Sequence, residues 1–383
     1  MNRAELADIC RYRTDSTPVD PQTYISTESM LPNRAGVTPA SSVPSAGKAR
    51  VFRKGDTLIS NIRPYFKKIW QATADGCCSA DVIVFEPSSC NPDYLYWLLS
   101  DDSFFDYMVA TSKGTKMPRG DKAAIMHYEF ERTDGEGQAA IAKALNPIRR
   151  LINLNQQTND YLAELVRTEF DYRYGVDTPS VALNDVLTIS TKSLKPSSCV
   201  GEIWEHFSIP AFDEGRRPVF EPADGIKSNK YVIDNNCILI SKLNPSTKRL
   251  WLPYCTSNRP VCSTEFIVYK PKVAAHKSFY YAAIDSPRFT DFLLAHVTGS
   301  TGSRQRTQPR ATLDYPMPFP GTDEIEDFCA YADPLIKQWQ VNEQESVKLA
   351  QLRDALLPKL MSGEIDVSRV ELPTQPNNHL YVD

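Results

Sequence analysis

A few groups of residues in this chain have types and spacings that chemistry uses. Asn91-Pro92-Asp93-Tyr94 is one residue away from an Asn-Pro-Pro-Tyr pattern that can grip an exocyclic adenine amine for methyl transfer. Asp replaces the second proline, and the four residues open a helical pattern, where Asn is a favoured N-cap and Pro a favoured first residue. A methyl-donor cradle also needs a glycine-rich strand–loop–helix, and only 16 glycines occur among 383 residues. Gly302-Ser303-Arg304-Gln305-Arg306 lacks the GxxxxGK[ST] spacing of a phosphate loop. His127, His206, His276 and His296 have no Ser or Cys in a nucleophile elbow, and no PD-(D/E)xK cluster stands out. The nine cysteines include no CxxC pair, and the five histidines lie far apart, so zinc has no usual spacing. The residues therefore favour a chain that binds over one that catalyses.

Composition narrows the class. With 42% hydrophobic and 23% charged residues the chain reads as globular. Nothing approaches the run of about eighteen apolar residues that a membrane span needs. The N-terminal residues lack the apolar stretch of a secretory signal, and an odd cysteine count without a framework reads as reduced thiols, so a cytoplasmic protein is expected. The net charge of −4 hides an uneven distribution: residues 181–321 carry +5 and residues 322–383 carry −7. A basic block followed by an acidic one points to different surfaces for different partners.

The chain also repeats itself. Leu58-Ile59-Ser60-Asn61-Ile62-Arg63-Pro64, closing in Lys67-Lys68-Ile69-Trp70, recurs as Leu239-Ile240-Ser241-Lys242-Leu243-Asn244-Pro245, closing in Lys248-Arg249-Leu250-Trp251, at a constant offset of 181. Leu6-Ala7-Asp8-Ile9 matches Leu183-Asn184-Asp185-Val186, and Ser79-Ala80-Asp81 matches Ser263-Thr264-Glu265. Arg119, Pro147 and Asn155 match Arg306, Pro334 and Asn342 at an offset of 187. A slowly drifting offset in collinear order is the mark of a duplicated unit with small loop insertions.

Each copy has a mixed part and a helical part. The runs 51–60, 80–87, 231–241 and 263–271 are rich in β-formers and bounded by Gly, Pro, Asn and Asp, and read as strands. Residues 91–110 and 277–297 each read as an amphipathic helix. Ile141, Leu145, Ile148, Ile152, Asn155, Asn159, Leu162 and Val166 then recur every three or four residues, as do Phe328, Ala332, Leu335, Trp339, Asn342, Ser346, Leu349, Arg353 and Leu356. That rhythm is a coiled-coil seam. Paired antiparallel, the two helices bring Asn155 and Asn342 together at a pseudo-two-fold centre, where a buried polar pair sets register. Pro147 and Pro334 should kink the helices or mark their starts.

The expected fold class is α+β: two repeat-related mixed α/β domains separated by two long helices forming an antiparallel coiled coil with pseudo-two-fold symmetry. The expected boundaries are a first domain at 1–136, a spacer helix at 137–178, a second domain at 179–322, a C-terminal spacer helix at 323–365 and a loose tail at 366–383. About 30 helical residues span roughly 45 Å, against about 34 Å for a turn of B-DNA. Two heads on such a strut would resemble a dumbbell able to address neighbouring grooves.

Taken in order, the segments 55–70 and 236–251, the stretch 206–231, the loop 299–306 and the closing residues 349–365 resemble the specificity subunit of type I restriction–modification enzymes, the HsdS family. The resemblance spans roughly residues 3–367. It implies two target recognition domains that each read one half of a split, asymmetric double-stranded DNA sequence. It also implies helices that dock two methyltransferase subunits and, in the full complex, endonuclease/translocase subunits. S-adenosylmethionine, ATP and Mg would belong to those partners, with no cofactor bound by this noncatalytic chain. The acidic, apolar-striped C-terminal helix suits protein docking.

Base edges are read by Arg, Lys, Asn and Gln, and phosphates are clamped by Lys, Arg, Ser and Thr. The first copy offers Asn61, Arg63, Lys67, Lys68, Lys113, Lys116 and Arg119. The second offers Lys227, Ser228, Asn229, Lys230, Lys242, Asn244, Lys248, Arg249, Arg304, Gln305, Arg306 and Arg310. Equivalent pairs (Arg63/Asn244, Lys67/Lys248, Lys68/Arg249, Arg119/Arg306) are preferred, because each copy needs similar phosphate contacts. Trp70 and Trp251 are expected to anchor the core. Two other readings stand beside this one: a self-contained N6-adenine DNA methyltransferase built on Asn91–Tyr94, and a noncatalytic coiled-coil protein whose helices pair between chains.

Overall fold

The computed structural model describes residues 3–175, 177–298 and 305–366. Two compact units result, one made of the residues up to Asn153 with those from Ser346 onward, the other of Leu154–Glu345. These limits differ from the expected ones: each unit takes a domain together with part of both long helices, so the helices are not separate modules.

In the first unit, β1 (Arg3–Glu5) pairs with β10 (Glu129–Glu131) and closes the domain's two ends together. A four-stranded sheet runs β2 (Cys10–Tyr12), β9 (Val82–Pro87), β6 (Thr57–Ser60), β7 (Ile69–Gln71), all antiparallel. A second runs β3 (Ser16–Pro18), β5 (Lys48–Phe52), β8 (Gly76–Cys78), β4 (Tyr24–Ile25), with β4 and β8 parallel. Successive residues of β6 and β9 enter different cores. Ile59, Ile83 and Phe85 pack with Tyr94, Trp97 and the long helices' Ile141, Leu145, Leu357 and Leu360. Leu58, Val82 and Val84 pack with Met30, Phe52 and Cys78. A sheet covered on both faces explains why these strands read as unbroken apolar runs.

The second unit repeats the plan. Its β11 (Ser180–Ala182) pairs with β23 (Pro316–Pro318). One sheet runs β12 (Leu187–Ile189), β20 (Phe266–Pro271), β17 (Ile238–Ser241), β18 (Leu250–Trp251). The other runs β13 (Ser193–Leu194), β16 (Lys230–Val232), β19 (Pro260–Ser263), β14 (Ile203–Phe207), β15 (Val219–Pro222), with β14 parallel to β19. A short hairpin, β21 (Val297–Thr298) with β22 (Arg306–Thr307), follows. Strand order and direction match the first unit apart from β15, an added edge strand, so the duplication seen in the sequence is present in the topology.

Each expected amphipathic helix is instead two nine-residue helices, Pro92–Ser100 then Asp102–Ala110, and Lys277–Asp285 then Pro287–Ala295. Asp101 and Ser286 break the run, each extended in backbone and each capping the next helix: Asp101 accepts from Ser103 N and Ser286 from Phe289 N. Asn91 caps the first helix by accepting from Asp93 N and Tyr94 N, and Pro92 follows it, so the Asn-Pro-Asp-Tyr segment is a helix start. Trp251 is buried edge-on to Phe207 and Phe212, and half-buried Trp70 meets Phe52, as core anchors do.

The long helices run Gly135–Arg173 and Thr322–Met361, 39 and 40 residues, against the expected 137–178 and 323–365. Both pass through their prolines, which stand twelve residues inside and so mark neither start. In the first unit the beginning of the first helix packs on the end of the second (Ile141, Leu145 and Ile148 with Leu357 and Leu360). In the second unit the end of the first packs on the beginning of the second (Val166 and Phe170 with Phe328 and Ala332). Asn155 and Asn342 do meet, though not side chain to side chain. Asn155 Nδ2 donates to the Asn342 carbonyl at 3.4 Å and to Glu345 Oε2 at 2.9 Å. The Asn342 amide instead donates to Asn159 Oδ1 at 2.9 Å and accepts from Gln338 at 2.8 Å.

Glu343 is half-buried on the second helix. Trp339 Nε1 donates to it at 2.8 Å. It shares a small cavity with Arg216, Leu250, Trp251, Leu252 and Ile336. Burial pushes its carboxyl from the ordinary 4.5 up to about 7, a rise that the Trp339 N–H and the Arg216 and Arg217 charges limit.

Two outcomes follow from the helices. Asn159→Ala strands the buried Asn342 amide, and unfolding by urea should show a loss of roughly 1–3 kcal/mol. Between about pH 4.5 and 7 the folded state holds a proton on Glu343 that the unfolded state has released, so stability falls as pH rises through that window. Glu343→Gln keeps the acceptor for Trp339 and should flatten that slope in thermal melts across the window, leaving the variant the more stable above it.

Candidate nucleic-acid interface

Whereas Lys227, Ser228, Asn229 and Lys230 lie at β16 in the other sheet, part of the set proposed from the sequence lies in each unit where the central strand of the first sheet ends. The same backbone frame is built there twice. The last strand residue, Ser60 or Ser241, donates its hydroxyl two residues on, to Ile62 O at 3.2 Å or Leu243 O at 2.9 Å. The next N–H goes to the carbonyl of an acidic residue: Asn61 N to Asp81 O at 2.8 Å, and Lys242 N to Glu265 O at 2.9 Å. Two residues later the backbone turns left-handed, at Arg63 (φ 52°) and Asn244 (φ 49°). Neither residue is glycine, so each conformation costs about 1–2 kcal/mol for Arg and less for Asn.

Hydrogen bonds on both sides hold the turn in that conformation. Arg63 N donates to Pro118 O at 2.8 Å and Asn244 N to Gln305 O at 2.9 Å. Gly120 N donates back to Asn61 O at 3.3 Å and Thr307 N to Lys242 O at 2.9 Å. The turn closes by Phe66 N to Arg63 O at 3.0 Å, or Thr247 N to Asn244 O at 2.9 Å. A loop at 113–120 in the first unit, and at 305–307 in the second, is thereby fastened to the strand exit.

The preferred equivalent cations are mostly committed within the chain. Arg119 pairs with Asp81 at 3.1 Å and Arg306 with Glu265 at 3.1 Å. Lys67 reaches Asp102 at 2.8 Å and Lys248 reaches Asp285 at 2.5 Å, both at the break between paired helices. Lys68 donates to Thr27 O at 2.8 Å, and burial holds its ammonium below the ordinary value. Arg249 grips Asp213 with two hydrogen bonds of 2.6 and 2.9 Å. These three equivalent pairs have partners within the chain.

Two candidates prove to be enclosed. Asn61 is 7% exposed, its Oδ1 without a hydrogen-bond partner, and Lys230 is 6% exposed with Nζ 2.6 Å from Ser228 Oγ. Burial also lowers the Lys230 pKa. Neither is a surface contact, because β-rich surroundings close over both. Arg304 lies outside the described residues, while Gln305 is half-buried beside it. Lys113 is exposed but paired with Asp121 at 2.6 Å. Exposed Lys116, Lys227, Asn229 and Arg310 and half-buried Lys242 have no side-chain ion pair or hydrogen bond among the described residues. The four histidines have internal partners: His127 with Glu5, His206 with Glu221, His276 with Tyr280 and His296 with Phe292 O.

The sequence reading missed Tyr65, which is 49% exposed at the first turn, with its ring against that of half-buried Phe66 at 4.8 Å between centroids. It also missed Ser246 and Thr247, exposed at the equivalent turn. A hydroxylated or aromatic residue directly after a proline at the centre of the repeat was the available signal. Leu151, Leu154, Tyr161, Leu165 and Tyr172 are exposed along one side of the first long helix, whereas Val341 and Leu352 are the large apolar residues exposed on the second. No helix among the described residues is long and apolar enough to cross a membrane.

No family model and no curated protein matches the chain. Solved structures do. The HsdS subunit from Thermoanaerobacter tengcongensis shares 17% identity over 95% of this chain and 97% of its own, with a TM-score of 0.37. A chain from a structural account of the assembly and conformational transition of a type I R-M system shares 17% over 95% and 98%, with a TM-score of 0.40. The S subunit of a type I restriction-modification system from M. genitalium shares 13% over 94% and 96%, with a TM-score of 0.48.

The division into committed and uncommitted cations is measurable. Arg249→Ala removes a double hydrogen bond and should lower unfolding stability by about 1–2 kcal/mol. Lys116→Ala, Lys227→Ala and Arg310→Ala should stay within about 0.5 kcal/mol of wild type in the same urea titrations.

Proposed function

We propose that this chain is a noncatalytic DNA-specificity subunit of the type I restriction–modification kind, reading a split, asymmetric duplex sequence with one half per unit. The observation that carries it is the loop frame built twice from the same backbone bonds, bearing exposed side chains of different types. A single frame suits a common backbone, as the phosphates provide, and differing side chains suit two unlike base sequences. Uncommitted cations flank the frame, Lys116 in the first unit and Lys242 and Arg310 in the second, and supply the phosphate contacts. In this reading the long helices form an antiparallel, pseudo-two-fold coiled-coil spacer. The apolar side of the first helix docks the two methyltransferase subunits, and endonuclease/translocase subunits join in the full complex. S-adenosylmethionine, ATP and Mg act in those partners.

The self-contained methyltransferase reading loses its footing at Asn91. That side chain is consumed as a helix cap, and Tyr94 is 1% exposed, so neither is presented to a flipped base.

The test is co-expression with a cognate methyltransferase subunit followed by long-read mapping of N6-methyladenine in host DNA. A two-part motif with a fixed gap is expected. A continuous short motif would remove the two-half reading, and methylation by this chain alone would remove the noncatalytic one.

A further inference from the structure

We infer that Arg63-Pro64-Tyr65 in the first unit and Asn244-Pro245-Ser246 in the second are interchangeable base-reading tips, each determining one half of the recognised sequence. This rests on the DNA-specificity reading above and deepens it by naming which side chains discriminate.

Side chains that discriminate between bases must be held in place and must differ where the two halves differ. Around these tips Ser60 and Ser241 both cap the strand, and Lys67 and Lys248 both bind a helix junction, although Asn61 and Lys242, and Phe66 and Thr247, differ. Pro64 and Pro245 are both buried, which anchors the centre of each tip. The residues on either side of the proline are more exposed than it is, and there the chemistry changes. Arg63, half-buried, brings a planar guanidinium whose Nε is enclosed without a hydrogen-bond partner, and Tyr65 an aromatic ring with 49% of its surface exposed. Asn244 brings an amide that donates to Thr247 Oγ1 at 3.2 Å and accepts from Ser246 Oγ at 2.8 Å, a small polar cluster rather than a cation beside a ring. Arg suits a guanine edge and Asn an adenine edge, so the two tips are fitted to different bases.

The frame also predicts that the tips can be exchanged. Each turn is positioned by backbone bonds that involve no side chain of the tip residues: Arg63 N to Pro118 O and Phe66 N to Arg63 O in one, Asn244 N to Gln305 O and Thr247 N to Asn244 O in the other. Both central residues already sit at nearly the same positive φ, 52° and 49°. Moving Arg and Tyr onto the second frame therefore demands no new backbone conformation.

The experiment selects bound duplexes from a random-sequence DNA library with the full chain, comparing wild type, the double variant Asn244→Arg with Ser246→Tyr, and the single variant Tyr65→Ser. Wild type should enrich a split sequence. The double variant should change one half only, with a preference shift of about tenfold or more. Tyr65→Ser should alter the other half only. It also covers the case in which the double variant does not fold, which a thermal melt identifies. Variants that bind and still select both wild-type halves overturn the tip assignment while leaving the specificity reading intact. A change in both halves at once likewise overturns it. A wild-type chain that enriches no sequence overturns the reading on which the inference rests.

Discussion

The rest of each unit depends on how the backbone leaves the central strand of its first sheet. A strand that ends at the surface of a domain exposes N–H and C=O groups that need partners. Here they are satisfied by two distant segments, the acidic residue that opens the neighbouring strand and the loop that precedes the domain's last elements. Satisfying both forces a left-handed turn on a non-glycine residue, Arg63 in one unit and Asn244 in the other. That strain persists because hydrogen bonds hold the turn from both sides. The result is a turn held in place at the end of each central strand.

Packing supports that frame from beneath. The central strands contribute alternate residues to two cores, so the sheet cannot slip by one residue without reversing every contact on both faces. The paired nine-residue helices cover one face, and their break is the point that Lys67 and Lys248 reach from the loop. Thus the same capping chemistry that ends one helix and starts the next also fixes the loop. The long helices add apolar layers at Ile141, Leu145 and Phe170 and then accept a cost at Asn155, Asn159 and Asn342. Three asparagines, linked through the Asn342 carbonyl and amide, satisfy one another only in one register, which is what an all-apolar seam would not enforce.

Electrostatics separates residues that sequence alone groups together. The cations repeated between the copies look like the best ligand contacts because repetition signals a shared need. The shared need turns out to be internal: Asp81 and Glu265, or Asp102 and Asp285, require partners in each copy. Among the described candidates, the cations without an internal partner are ones that the copies do not share. An exposed ion pair stabilises the fold by less than about 1 kcal/mol.

The sequence by itself determined the duplication, the strand runs, the helical seam and the cap at Asn91, because each of these is set by local periodicity or by short-range hydrogen bonding. It even aligned Asp81 with Glu265 and Arg119 with Arg306 without joining one pair to the other. Only the tertiary structure decided that those residues bond, that Asn61 and Lys230 are enclosed, that Asn342 turns to Asn159, and that Tyr65 stands outward. Each of those outcomes depends on which distant segments the sheets bring within a hydrogen bond's length. Separation along the chain carries no information about that distance, since Arg119 and Asp81 lie 38 residues apart and still meet at 3.1 Å.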